Sequence, residues 1–233
     1  MRVRTLVSEP STTYSRPSVT VDIAVFTMSG GTLKLLLIQR GASPYLGHWA
    51  LPGGFVDVGN GRTEQGESLE DAAHRELEEE TGLARGTVYL EQTQTFGSPY
   101  RDPRERVITV AWTALVPPGR IEDTQAGTDA ANAEWYALDA LPPLAFDHSE
   151  IVEHAIQRLR SSLEQSPVGL ELVPPMFTIA ELRAVHECIL GAPLDPGNFR
   201  RQFLKWEAQG HIAPTDGKRK TTSKPAQLYS RSQ

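Results

Sequence analysis

Residues 68–82 place glutamates where a helix should be apolar, and nothing else in the chain narrows its possible folds as much. Ser68-Leu69-Glu70-Asp71 fits a capping box and Gly82 a helix stop, so a helix is expected between them. With Leu69 set at 0° and about 100° per residue, Ala72 falls at about −60°, Ala73 at about +40° and Leu77 at about +80°. These define the inward face. Glu76 at about −20° and Glu80 at about +20° lie in the middle of it, Glu79 at about −80° on its border, and Glu78 at about 180° on the far side. Inward carboxylates without partners cost several kcal/mol each. They also occupy the last turns, where the helix dipole disfavours anions. A hard divalent cation relieves both penalties, because Mg²⁺ takes carboxylate oxygens. The competing reading is a solvated acidic helix with Arg75 as a casual ion-pair partner; the inward angles favour the metal.

The same stretch reads Gly61-RTEQG-Glu67-SLEDAAH-Arg75-Glu76-Leu77-Glu78-Glu79-Glu80-Thr81-Gly82-Leu83. It resembles the Nudix box, G-x5-E-x7-R-E-U-x-E-E-x-G-U with U apolar, at every fixed position. The resemblance implies an α/β/α sandwich around a mixed sheet. It also implies Glu76, Glu79 and Glu80 as ligands of Mg²⁺ (or Mn²⁺) and as the catalytic carboxylates, and an Arg75–Glu67 ion pair that orients the helix. In that chemistry the ion takes charge from a diphosphate and activates a water, with Glu79 or Glu80 assisting deprotonation.

In one respect the chain departs from the pattern. Family members usually place a Gly-Gly pair directly before the loop. Here that pair is Gly53-Gly54, and Glu67 follows Gly54 by 13 positions. Two starts are therefore open, Gly61 or Gly54; from Gly54 the loop has gained seven residues, about GNGRTEQ. The backbone carbonyl that the family offers to metal falls at Gly53 or Gly54. Pro99 lies 16 residues past Leu83, where ADP-ribose-handling Nudix proteins often carry a proline; an ordinary turn proline is the alternative. Arg101, Arg104 and Arg106, in the turn between two expected strands, are candidate phosphate contacts.

Elsewhere in the first part, apolar runs at 21–28 and 34–40 around Ser29-Gly30-Gly31 read as a hairpin. Strands are expected at 88–96, 107–116 and 134–138, and a helix over 149–163 capped by Asp147 with Glu150. Residues 164–175 (EQSPVGLELVPP) hold three prolines and no helical period, and read as a linker. This divides the chain into a tail (1–17), an α/β domain (18–163), the linker (164–175) and a small domain (176–233).

Charge separates the two halves. Residues 1–195 carry 15 Lys and Arg against 27 Asp and Glu, whereas residues 196–233 carry 8 against 2. An acidic body with a basic end suggests a polyanion partner for that end. No apolar run approaches the roughly 18 residues of a membrane span, and the N-terminus lacks a signal-peptide core. A single cysteine, Cys188, excludes an internal disulfide framework and suits a reducing cytoplasm.

In the small domain, Thr178-Ile179-Ala180-Glu181 fits a capping box that opens a helix to Leu190. Asp195 caps a second helix with Pro196 in its first turn, reaching Gln209. Phe199, Phe203 and Trp206 share its inner face, while Arg200, Arg201 and Lys205, with Asn198 in the first turn, take the outer one. Ile212-Ala213, a polar turn over 215–224 and 226–229 then read as a wing whose tip carries Lys218, Arg219, Lys220 and Lys224. A winged helix-turn-helix with its second helix in the DNA major groove follows. An α/β domain of this kind followed by this tail resembles the NrtR group of bacterial regulators of NAD biosynthesis genes, in FTIAELRAVHECILGAPLDPGNFRRQFL, KPAQLY and TFGSPYRDPRERVITVAW. That resemblance implies a homodimeric repressor of a double-stranded operator, responsive to ADP-ribose. Many such regulators have degenerate boxes; this chain keeps every ligand, so a pyrophosphohydrolase cleaving ADP-ribose or a related nucleoside diphosphate is the alternative. A module whose basic tail binds protein or RNA is a third.

Overall fold

The computed structural model describes residues 16–60, 65–123, 130–221 and 224–232. Residues 1–15 of the expected tail, and Gly61, lie outside them.

Strands β1 (Ser18–Ser29) and β2 (Thr32–Arg40) form the expected hairpin. Gly30 and Gly31 both turn with positive φ, 61° and 76°, as a two-residue hairpin turn requires. The sheet is mixed. β1 runs antiparallel to β2 and parallel to β6 (Val107–Val116), and β6 pairs antiparallel with β5 (Tyr89–Phe96). The strand-like run at 49–56, broken at Pro52-Gly53-Gly54, forms two short strands, β3 (Trp49–Ala50) and β4 (Gly53–Phe55), which pair with β2 and β1. β7 (Ala130–Ala137) lies against β2 and is longer than the segment expected at 134–138.

Both faces of β1 are covered, which is why it reads as an almost unbroken apolar run. Val21, Ile23 and Val25 pack with Ala72, Ala73 and Leu77 of α1 (Leu69–Thr81). The alternate residues Ala24, Phe26 and Met28 pack with Ile151, Val152 and Ala155 of α2 (His148–Gln165). The result is the expected α/β/α arrangement. Among the described residues no helix is long and apolar enough to cross a membrane.

Two local expectations are corrected. Asp147 stands at the N-cap of α2 but makes no side-chain cap bond, because its carboxylate is held by Arg101 instead. The segment 164–175 is not irregular linker throughout: α2 continues to Gln165 and Val168–Leu172 forms a 3₁₀-helix. One 3₁₀ turn is too short to show a helical period. Its Val168, Leu170 and Leu172 are buried in a core that continues from the sheet into the small domain.

That domain comprises β8 (Met176–Phe177), α3 (Ile179–Leu190), α4 (Pro196–Ala208), β9 (Ile212–Arg219) and β10 (Ala226–Arg231), with strand order β8-β10-β9. Thr178 and Glu181 complete a reciprocal capping box, and Asp195 accepts from the Asn198 N–H at 2.8 Å. Phe199, Phe203 and Trp206 are buried. The domain rests on the hairpin turn through Cys188, whose Sγ accepts from the Leu33 N–H at 3.2 Å.

Candidate functional site

Helix α1 seats its inner face on the sheet through Ala72, Ala73 and Leu77, all fully buried. The carboxylates that share this face are held down with it. The Glu76 side chain is only 12% exposed. Glu80 accepts from the Gly53 N–H at 2.8 Å. The glycine pair makes this possible. A Cβ on Gly54 would stand 2.3 Å from Glu76 Oε1, and one on Gly53, at φ 155°, would stand 2.1 Å from the Val21 carbonyl. Burial first, then the charges of Glu76 and Asp22, push the Glu80 carboxyl up to about 8 against the opposing Gly53 N–H. Burial also raises Glu76, opposed by Arg75.

Arg75 organises the outer side. It grips Glu67 with two bonds, Nε–Oε2 at 3.0 Å and Nη2–Oε1 at 2.7 Å, the ion pair implied for this position. Nη2 also donates to the Phe55 carbonyl at 3.1 Å. Nη1 reaches Glu76 at 2.8 Å and Glu79 at 3.1 Å. Glu79 is 56% exposed, and Glu78 faces solvent. Among the described residues no three His, Cys, Asp or Glu side chains stand together as a ready-made metal cage. The donor chemistry nevertheless fits a hard cation: the half-buried Glu80 carboxyl accepts from the Gly53 N–H, Glu76 shares one arginine nitrogen with Glu79, and burial disfavours both charges.

Beside the glycine pair lies a cavity lined by Asp22, Arg40, Phe55, Arg101, Arg104 and His148, among others. Arg101 is buried and its charge is already matched: Nη2 donates to Asp22 Oδ2 at 3.1 Å and Asp147 Oδ1 at 2.7 Å, and Nε to Asp147 Oδ2 at 2.9 Å. His148 Nδ1 accepts from the Leu51 N–H at 2.9 Å, and its Nε2 stands 3.4 Å from Asp22 Oδ1. Accepting at Nδ1 leaves the ring proton on Nε2, facing Asp22; burial lowers the ring's pKa, opposed by the Asp22 charge. Arg104 pairs with Asp102 and lies over the Phe55 ring, 5.5 Å from its centroid. Arg106 donates to the Gly97 and Ser98 carbonyls and pins the loop. Of the three arginines expected to meet phosphate, Arg104 faces the cavity with its own partner, Arg101 is an internal tie and Arg106 a loop staple. Asp22 and His148 escape sequence reasoning; the available signal was a lone acid inside the apolar run VDIAVFTM.

In the small domain, Asn198, Arg200, Arg201 and Lys205 are exposed on α4, with Arg201 hydrogen-bonded to Asn198. The wing differs from expectation. β9 runs through Arg219, so the turn begins later than 215. Strand alternation turns Arg219 back onto Glu181 and the Met176 carbonyl, which removes it from the expected basic tip. Lys218, Lys220 and Lys224 are exposed.

An acidic helix and cavity on an α/β/α domain, joined through one core to a winged helix with a basic outer face, define a ligand-binding domain coupled to a nucleic-acid-binding one. Comparison with known proteins agrees. The NUDIX domain model matches residues 16–155, and the NrtR DNA-binding winged helix domain model matches residues 169–230. The ADPR responsive transcriptional repressor NtrR of Acinetobacter baylyi is 38% identical over 218 residues, covering 93% of this chain and 82% of that one. The crystal structure of Shewanella oneidensis NrtR with a 27mer DNA superposes with a TM-score of 0.77 at 36% identity, over 91% of this chain and 93% of that one. An ADP-ribose pyrophosphatase of Methanocaldococcus jannaschii is 41% identical over 140 residues, 60% of this chain and 73% of the relative. The chain therefore belongs to the Nudix family and, through its two domains together, to the NrtR-type regulators within it.

Proposed function

We propose that this protein is an ADP-ribose-responsive transcriptional repressor that binds double-stranded operator DNA as a homodimer. One observation carries the coupling. Helix α2 starts at the cavity, where Asp147 and His148 hold Arg101 and the Leu51 N–H, and ends against α3, where Arg160 donates to the Ile189 carbonyl at 2.8 Å. A rigid helix joins the two sites, so a ligand that prefers one setting of α2 biases the winged helix. Arg104 and Phe55 supply a charged and an aromatic surface for a nucleoside diphosphate. Asn198, Arg200, Arg201 and Lys205 with Lys218, Lys220 and Lys224 supply the DNA face. The relatives' names support both ligands. The test is a titration of the protein onto DNA from upstream of its own gene, with and without ADP-ribose. A shift in affinity of several-fold is expected; equal affinity in the two titrations rejects the reading.

A second reading, hydrolysis of ADP-ribose to AMP and ribose 5-phosphate, is favoured by the complete carboxylate set and by the pyrophosphatase relative. Glu76, Glu79 and Glu80, with the Gly54 carbonyl, would hold the Mg²⁺ or Mn²⁺. When bound, the ion supplies charge neutralisation of the diphosphate and a more acidic water. Arg75 and Glu67 orient α1, and Gly53 fixes the Glu80 carboxyl. Product analysis after incubation with ADP-ribose and Mg²⁺ tests it: AMP that appears with the wild type and not with Glu80→Gln supports the reading, and intact ADP-ribose rejects it.

A further inference from the structure

Leu204 is 46% exposed on the outer face of α4. Single exposed leucines are ordinary; this one is distinguished by its surroundings. Arg200 and Arg201 precede it by one helical turn, Lys205 adjoins it, and Ala208 follows one turn on. All four are exposed. Gly197, two turns before it, is exposed with no side chain of its own. The one acid within α4, Glu207, follows Leu204 by three residues and lies about 60° away toward the inner face. An apolar centre flanked by three cations, on a helix slim at its first turn, complements a surface with phosphates at its rim and an apolar group on its floor. The major groove of B-form DNA is such a surface, and the thymine C5-methyl is the apolar group that the four bases present there. Duplex RNA does not match: its major groove is too deep and narrow, and uracil has no methyl.

Resting on the DNA-binding reading above, we propose that Leu204 is a specificity-determining residue that reads a thymine methyl in the major groove, while Arg201 and its neighbours hold the backbone or flanking bases. The contact is apolar, so it discriminates thymine from uracil, which pair identically with adenine and differ by that one methyl.

The experiment uses the full-length protein and a duplex that it selects from a random-sequence pool. Each thymine of the protected site is replaced singly by deoxyuridine, and affinity is measured at one fixed salt concentration. At one or more positions the wild type is expected to bind about fourfold more weakly, the factor that burying one methyl-sized group confers. Leu204→Ala, checked for an unchanged circular-dichroism melt, is expected to bind the thymine and uracil duplexes equally. The uridine scan of the wild type needs no variant, so it stands even if the substitution disturbs folding. No position sensitive to uracil overturns the proposal. So does a Leu204→Ala protein that still discriminates, including one that changes only its oligomeric state. Failure to select any duplex overturns the DNA-binding reading itself, and this proposal with it.

Discussion

Arg160 of α2 caps the end of α3: its Nε donates to the Ile189 carbonyl at 2.8 Å. That carbonyl is one of the last four of its helix, which have no partner inside the helix, and a cation there also meets the negative end of the dipole. Arg160→Ala is expected to cost about 1 kcal/mol and lower Tm by about 2–4 °C. It should leave ADP-ribose affinity unchanged while reducing the ligand's effect on DNA affinity. Calorimetric ligand titration beside DNA titration checks this; undiminished coupling would show that α2 does not carry it.

The Gly54–Glu76 approach predicts a steric defect. Gly54→Ala puts a methyl 2.3 Å from Glu76 Oε1 and must displace that carboxylate. Overpacking of this kind costs about 1–3 kcal/mol. If Glu76 holds a metal ion, affinity for Mn²⁺ should fall together with any turnover, as in Glu76→Gln. A Gly54→Ala protein with wild-type Mn²⁺ affinity would separate the glycine from the metal site.

His186 predicts a pH dependence. It is 4% exposed between Phe199 and Trp206, and among the described residues its Nε2 has no hydrogen-bond partner. Burial pushes its pKa from 6.5 down to about 4. The unfolded chain therefore takes up the proton first as pH falls. The contribution of the neutral ring is fully present above the unfolded pKa of 6.5 and is lost as pH drops toward about 4. Between about pH 7 and pH 5 the loss is about 2 kcal/mol. Urea midpoints across that window should show it, and His186→Phe should flatten the slope. An equal slope in the variant would assign the effect elsewhere.

The arginines of the cavity loop separate by partner. Removing Arg101 leaves Asp22 and Asp147 facing each other in the interior, and Arg101→Ala is expected to destabilise by about 3–5 kcal/mol. Arg106 is exposed and bonded to loop carbonyls; Arg106→Ala should stay within about 1 kcal/mol. Chemical denaturation distinguishes them, and equal losses would refute the internal tie.

Much of this is legible in the amino-acid order because it is local. Two glycines between apolar runs specify the β1–β2 turn; Ser68, Thr178 and Asp195 announce helix starts; and 100° spacing already turns Glu76 and Glu80 inward and Glu78 outward. The winged helix follows from the inner stripe of Phe199, Phe203 and Trp206. Each rests on neighbours within a turn or two of the chain. What stayed hidden depends on partners far along it. Asp147 looks like a cap until Arg101, 46 residues away, claims its carboxylate. Arg219 looks like a wing tip until strand alternation delivers it to Glu181. The 164–175 segment looks like spacer until Leu170 and Leu172 find a core built from both domains. The meeting of Asp22, Arg101 and His148, and the reach of α2 from cavity to winged helix, exist only once the sheet closes, because periodicity encodes which face a residue takes and not what that face will meet.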